Sequence, residues 1–498
     1  MTANKFFEAN KRIFLSLITL CIAALIYFLV PGEEYPKAPI VAFVVTIMAG
    51  FWIFEIIPIA VTSLFPLILF PLFEIMDMRL ASSYYGKPII FLFLGGFLLA
   101  FGLQESGLHK RIALNIVNKV GTNPIRLVLG FMLAGGFLSM WISNTASVMV
   151  MIPIALSIVE QAKEGGSKPE AVALFALSLM LGLAYAADIG GMGTIIGTPP
   201  NLVFLELYSE LFPENPEVGF LDWMLMALPI TIIFMAVGWV LLTRVIFNLT
   251  KIQLFDRTDI IQTQLKSLGR MSSDEKYSGL IFLIAAILWM TGSDINLTEE
   301  FTISGWRSLF NLQEVSDASV AIAAAIFLFV IPSKTPGKTT LLEWKIKERI
   351  PWGILLLFGG GFAIAGSFEY SGLSKMIGNM FTQVEFSSPI VLVALINTVL
   401  TFLTELTSNT AMANLILPIL AEAAVALQLD PRLLMIPATL SASCAFMTPI
   451  ASPTQAIIFG TGYVSIKQMM KAGIWFNIVG VFIVTLVFML FGKVVLGI

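Results

Sequence analysis

The chain repeats part of itself. The stretch FLGGFLLAFGLQESGLHK at 93–110 returns as FGGGFAIAGSFEYSGLSK at 358–375, a shift of 265 residues. The triplet Ser143-Asn144-Thr145 returns at the same shift as Ser408-Asn409-Thr410, and Pro153 returns as Pro418. Apolar helices share Gly and Phe cheaply. One gapless shift that aligns glycines, polar triplets and prolines instead marks a duplicated unit. Any fold for this chain has to accommodate that unit twice.

The surroundings of the repeat set the solvent. The chain is 57% hydrophobic and only 12% charged, with a mean hydropathy of +0.90. A soluble protein of this size cannot hide so much apolar surface, so the lipid bilayer is its solvent. A net charge of −3 offers nucleic acid no electrostatic footing, and no nucleic-acid partner is expected. Cys21 and Cys444 lie in apolar segments and supply neither a disulfide framework nor a metal cluster. The single histidine, His109, sits beside Lys110 and Arg111 where an apolar run ends, and reads as a solvated loop residue. Metal chemistry and triad catalysis therefore have little to work with. The apolar run Ile13–Val30 is longer than a signal-peptide core and lacks a small-residue cleavage site, so it reads as the first spanning helix.

Eleven spans are expected, at 13–31, 38–57, 58–75, 88–107, 171–205, 224–247, 277–293, 318–332, 352–370, 433–465 and 472–497, with 38–75 divided near Pro58. Two further apolar stretches, 126–160 and 389–427, are broken at their centres by the triplets. Each half has about 15–18 residues, or about 22–27 Å as helix. That length passes the midplane but barely crosses a hydrocarbon core of about 30 Å. Both stretches thus read as re-entrant hairpins with the triplet at the tip. The expected fold class is an all-α polytopic membrane protein of about eleven transmembrane helices plus two re-entrant helical hairpins. With the N-terminus cytoplasmic, the segments 1–12, 109–126, 161–169, 249–276, 333–351 and 465–471 face the cytoplasm and carry 21 of the 29 Lys and Arg. Counting either hairpin as a full span would invert everything after it and spoil that bias. The matched helices 88–107 and 352–370 then run in opposite directions, the inverted-topology repeat of secondary transporters.

A second pair of breaks follows the hairpins, in DIGGMGTIIGTPPN at 188–201 and FMTPIASPTQAIIFG at 446–460. Glycine and proline release backbone groups from the helical ladder, which membranes tolerate only against protein or a polar cavity. Four paired breaks imply a polar site near the midplane. Apart from Asp188 and Glu405 these motifs hold no ionisable side chain. Their hydroxyls and amides can donate to carboxylate oxygens, and helices starting after Asn144 and Asn409 point positive ends at the gap. The partner helices, ending near Ile142 and Thr407, present carbonyls suited to a hard cation such as Na⁺. A small dianion bound with cations fits this device, the cations supplying the missing positive charge.

Ser, Thr and Asn also serve as interhelical glue. Two triplets, each followed by a Gly/Pro break, favour a site, whereas Asn201 and Gln455 stay balanced between the two roles. Asp188 reads as a cation or proton binder, or as the partner of a nearby donor. Glu405 reads as orienting its hairpin through backbone hydrogen bonds. An intramembrane enzyme built on these two carboxylates lacks a nucleophile–base set. A channel is disfavoured by the broken inverted repeats. The sequon NLT at 248 and 296 is too short a pattern to carry weight.

The SNT pair, GTPPN, SPTQ and the LFLGGF and LFGGGF segments together resemble the divalent-anion:sodium symporter family, the INDY-type di- and tricarboxylate transporters, over roughly residues 35–495. The resemblance implies a homodimer of eleven-span protomers in the plasma membrane (bacterial or archaeal inner membrane). Each protomer would move a transport domain past a scaffold as an elevator, coupling transported Na⁺ to uptake of C4 dicarboxylates such as succinate, malate and fumarate. Scaffold would fall in 1–107 and 206–370, the transport parts in 108–205 and 371–465, and a last spanning helix in 466–498. Carried over by position, one Na⁺ would lie at Ser139, Ser143, Asn144 and Gly197, and a second at Thr404, Thr407, Asn409 and Ala451. Carboxylate contacts would fall on Asn144, Thr145, Thr198, Ser408, Asn409, Thr410, Ser452 and Pro453. Two departures stand out: SPTQ replaces a second TPPN, and Asp188 occupies a position where a small or uncharged residue is expected. A Na⁺-independent exchanger, a proton-coupled carrier, and a carrier of citrate or sulfate stay open as alternatives.

Overall fold

A computed structural model describes residues 2–121, 123–165, 167–251, 259–298, 301–381 and 388–498. Met1 and positions 122, 166 and 252–258 of the expected cytoplasmic segments lie outside the described residues, as do 382–387 of the second transport part. A helix, or a helix in pieces, occupies each of the eleven expected spans. The first, Thr2–Leu29, lays one face on Ala38–Ile53, and Thr19 fills the space that a side chain on Gly50 would need. The expected division near Pro58 is present. Helix Ala38–Ile53 stops, Glu55 turns the chain at φ 45, and Ile59–Thr62 and Phe65–Leu72 follow.

Both re-entrant hairpins form. The first joins Pro124–Ser139 to Asn144–Glu164, and the second joins Pro389–Leu403 to Asn409–Ala426. Their first arms end earlier than expected, at Ser139 and at the 3-10 turn Thr404–Leu406 rather than at Ile142 and Thr407. The chain must reverse before each N-cap serine, over Met140–Ile142 in the first hairpin and Thr404–Thr407 in the second. Two broken helices follow, Pro169–Gly191 with Pro199–Leu211, and Pro431–Ala442 with Pro453–Gly460. The first runs on to Leu211, past the transport boundary expected at 205.

Each hairpin packs on the first part of its own broken helix, while the second parts cross over. Pro199–Leu211 lies against the second hairpin, and Pro453–Gly460 lies against the first. The two units therefore interlock. Close approach makes this possible: a Cβ on Gly190 would stand 2.2 Å from the Gly136 carbonyl oxygen, so hairpin and broken helix meet backbone to backbone.

The repeat holds element by element. Pro88–Ser106 and Trp352–Ser371 each end on a left-handed glycine, Gly107 at φ 84 and Gly372 at φ 73. Only glycine adopts that conformation without strain, and each one folds the chain back into an amphipathic helix, Leu108–Val120 and Leu373–Phe381. This fold-back corrects the reading of His109. It is buried in the first turn of Leu108–Val120, with Nδ1 3.0 Å from the Leu103 carbonyl oxygen, because the returning helix presses onto the one it leaves. The closing members of the repeat, Phe220–Val240 and Ile466–Val487, both run into a π-helical turn, at Leu241–Ile246 and Phe488–Gly492. Neither those turns nor the short antiparallel pair Ile295–Thr298 and Phe301–Ile303 has a sequence motif that announces it.

Candidate functional site

The triplets cap the helices they start. Ser143 and Ser408 are extended N-caps whose hydroxyls accept from the Ala146 and Ala411 amides, at 3.3 and 3.5 Å. Behind each cap the asparagine is anchored to the preceding arm: Ser139 Oγ donates to Asn144 Oδ1 at 2.5 Å, and Thr404 Oγ1 donates to Asn409 Oδ1 at 2.6 Å. A capped helix start leaves further amides free toward the gap, and its dipole favours negative charge there.

The breaks add two more helix starts. Thr198 and Ser452 are N-caps of nearly identical conformation, φ −143, ψ 143 and φ −145, ψ 143, each followed by proline at the first helical position. The backbone groups released by the first break find side-chain donors. Asn201 Nδ2 donates to the Gly191 and Thr194 carbonyls at 3.3 and 2.7 Å, and Trp223 Nε1 donates to Met192 O at 3.0 Å. In the second break the Glu405 carboxylate accepts the Phe446, Met447 and Thr448 amides at 2.6, 2.9 and 3.2 Å, and Asn477 Nδ2 at 2.8 Å. Glu405 does bind backbone, as expected, but that of the opposing break rather than of its own hairpin. Asp188 accepts from Asn144, Ser452, Thr454 and Gln455. The two carboxylates thus have separate sets of donors.

The caps surround one cavity of about 770 Å³. Of the fourteen residues expected at the site, twelve line it, all but Ser139 and Thr404, which stand behind the two asparagines. Asn201 and Gln455 are fully buried away from it, which decides their balance in favour of structure. Two features bear on cations. A Cβ on Gly191 would lie 2.7 Å from Asn144 Oδ1 and 3.1 Å from Gly197 O, so these two oxygens converge on one point. Thr407 Oγ1 is buried beside the cavity with no hydrogen-bond partner. Sequence reasoning missed the opposite wall, where Glu55, Phe93, Phe97 and Leu357 face the caps. Phe93, Phe97 and Leu357 belong to the repeated glycine motifs, which were a usable signal. No lysine or arginine lines the cavity among the described residues, and Glu55 is its single ionisable side chain.

Residues 11–498 match the family model described as the sodium:sulfate symporter transmembrane region. The chain belongs to this family, the divalent-anion:sodium symporters that its motifs resemble. It is 40% identical over 499 residues to the sodium-dependent dicarboxylate transporter SdcS of Staphylococcus saprophyticus, covering 99% of this chain and 94% of that protein. Against SdcS of Staphylococcus aureus strain MSSA476 the identity is 41%, with the same coverage. Among solved structures, the Alcanivorax borkumensis YdaH transporter aligns over 97% of both chains with a TM-score of 0.54 and 14% identity, a likeness of fold. The chain is an integral membrane transporter of this family and not an enzyme.

Proposed function

We propose that this transporter couples inward movement of Na⁺ to uptake of C4 dicarboxylates such as succinate, malate or fumarate. The observation that carries the reading is the cavity: four helix starts, two of them capped by serine hydroxyls, with further hydroxyls and amides and without a lysine or arginine among the described residues. Such a lining suits carboxylate oxygens but cannot neutralise a dianion. Cations bound alongside supply that charge, which makes anion binding depend on Na⁺ and is the physical root of coupling. Ser139, Ser143, Asn144 and Gly197 hold the first Na⁺, supported by the convergence of Asn144 Oδ1 and Gly197 O. Thr404, Thr407, Asn409 and Ala451 hold the second, supported by the unpartnered Thr407 hydroxyl. The carboxylates lie on Thr145, Thr198, Ser408, Asn409, Thr410, Ser452 and Pro453, with the Asn144 backbone at the first tip. The names of the staphylococcal relatives agree with this substrate class.

The hairpins and broken helices move together as the transport domain of an elevator, the remaining spans forming the scaffold of a plasma-membrane homodimer with cytoplasmic N-termini. Interlocking of the two units supports a single moving body. Each inward charge is worth about 2.3 kcal/mol per 100 mV, so a dianion needs more than two Na⁺ for the potential to drive it in.

Uptake of labelled succinate into proteoliposomes tests this reading. Replacing external Na⁺ by choline is expected to abolish uptake. Uptake that survives the replacement and requires internal dicarboxylate would make the protein an exchanger. The family's sulfate description favours one second reading, an inorganic divalent anion. Unlabelled succinate should compete far better than sulfate; the reverse order would select sulfate.

A further inference from the structure

We infer that Asp188 is a positioning residue, holding the Asn144 amide with its oxygen toward the first cation position and bridging the two broken helices across the site. The bridge is read from geometry alone, while the effect on cation binding rests on the transport reading above.

Asp188 lies in the last turn of Pro169–Gly191 and is almost fully buried. Its Oδ1 accepts from Asn144 Nδ2 at 3.0 Å, Thr454 Oγ1 at 3.0 Å and Ser452 Oγ at 3.3 Å. Its Oδ2 accepts from Thr454 Oγ1 at 2.8 Å and Gln455 Nε2 at 3.1 Å. Ser452 and Thr454 also bond to each other at 2.7 Å, so three donated hydrogens reach a carboxylate with about four lone-pair sites; both oxygens already accept, and Asp188 does not line the cavity. A direct cation ligand would have to displace donors already in place, so the residue acts through its neighbours.

The first neighbour is Asn144. A carboxylate only accepts, so the amide must turn its NH₂ to Asp188. That orientation leaves Oδ1 for Ser139 and for the point near Gly191 where Gly197 O also converges. Turned the other way, the amide would aim its own hydrogens at a bound cation. The second triplet has no such anchor. Asn409 Oδ1 accepts from Thr404, and its Nδ2 has no protein acceptor among the described residues, so it stays free to donate to an anion. The two amide oxygens are therefore anchored alike, and the halves differ in the nitrogen, which Asp188 holds in Asn144 and no described residue holds in Asn409.

The second neighbours are Thr454 and Gln455, the two residues by which SPTQ departs from TPPN. Both donate to Asp188, which is itself the other departure. The two departures are one contact. Asn201, the counterpart of Gln455 in the first half, keeps its amide within its own break. The cross-link thus runs one way, from the second broken helix onto the first.

Asp188→Asn, Gln455→Glu and the combination of both, which exchanges donor and acceptor across the same gap, test the inference in the full-length protein. Thermal unfolding in detergent with choline chloride alone reads the bridge. Each single variant should lower Tm, Gln455→Glu more because it sets two carboxylates in contact, and the combination should recover most of the loss. Additive losses would overturn the bridge. In proteoliposomes, Asp188→Asn should raise the Na⁺ half-saturation of succinate uptake about tenfold, while half-saturation by succinate at saturating Na⁺ shifts less than about threefold. An unchanged Na⁺ half-saturation would overturn the positioning of Asn144. Failure of the wild-type protein to take up succinate with Na⁺ would sink the transport reading and the cation role together, leaving the unfolding cycle to judge the bridge.

Discussion

The two halves of the site share a backbone and differ in how their loose ends are tied. Ser139 and Thr404 anchor Asn144 and Asn409 alike, and Thr194 and Thr448 alike donate to the carbonyls of Met140 and Glu405. The pairs obey the repeat. Yet Met140 occupies the place of Glu405, and a thioether cannot accept what a carboxylate accepts. The second break turns its amides onto Glu405, whereas the first turns its carbonyls onto Asn201 and Trp223. Duplication kept the shape, and the means of satisfying buried polar groups diverged.

Truncating the two asparagines breaks the comparison most severely. Asn144→Ala and Asn409→Ala should each cut succinate uptake at least about a hundredfold, the scale of lost contacts to charged groups, with folded protein retained. Residual transport should separate them. Excess Na⁺ should rescue Asn144→Ala better, and excess succinate should rescue Asn409→Ala better. Near-normal uptake by both would remove these residues from the site.

The breaks themselves come next. Glu405→Ala leaves three backbone amides, that of Phe446 fully buried, and the Asn477 amide without their acceptor, a loss of about 3 kcal/mol or more. Asn201→Ala should lose only about 1–2 kcal/mol, since Trp223 and Thr194 still close the first break. Denaturation in detergent orders the two variants, and equal losses would deny the divergence. A finer probe is Gly191→Ala, whose methyl would crowd Asn144 Oδ1. Its counterpart in the second break is already Ala445. The substitution should raise Na⁺ half-saturation about tenfold, and an unaltered value would move the first cation away from Gly191.

Much of this was legible in the sequence because its signals are local. Polar triplets and Gly/Pro pairs in apolar runs mark hairpins and breaks wherever they occur, and the triplets pair at a shift of 265 residues. Twelve of the fourteen expected site residues line one cavity for that reason. What stayed illegible depends on contacts between distant segments. Asp188 and Gln455 are 267 positions apart, and nothing within either motif shows that they meet. Glu405 reads as a carboxylate with backbone partners, but which backbone is decided by the packing of hairpin on break. Glu55 carries no motif at all and reaches the cavity through the turn between Ala38–Ile53 and Ile59–Thr62.

His109 shows the same divergence where the repeated helix Pro88–Ser106 folds back. Its counterpart is Ser374, and both approach equivalent carbonyls, Leu103 for the imidazole and Phe368 for the hydroxyl. The serine is indifferent to pH, but the imidazole is not. Burial holds His109 below its ordinary value of 6.5, opposed by the hydrogen bond to Leu103. Below that ordinary value the unfolded chain takes up a proton that the native protein refuses, so the unfolded state binds more protons and stability falls as the pH is lowered. The contribution is present above pH 6.5 and is lost on acidification. His109→Ser makes the first half like the second and should flatten the decline of Tm between pH 7 and lower values. A decline as steep as that of the wild-type protein would place the acid-sensitive group elsewhere.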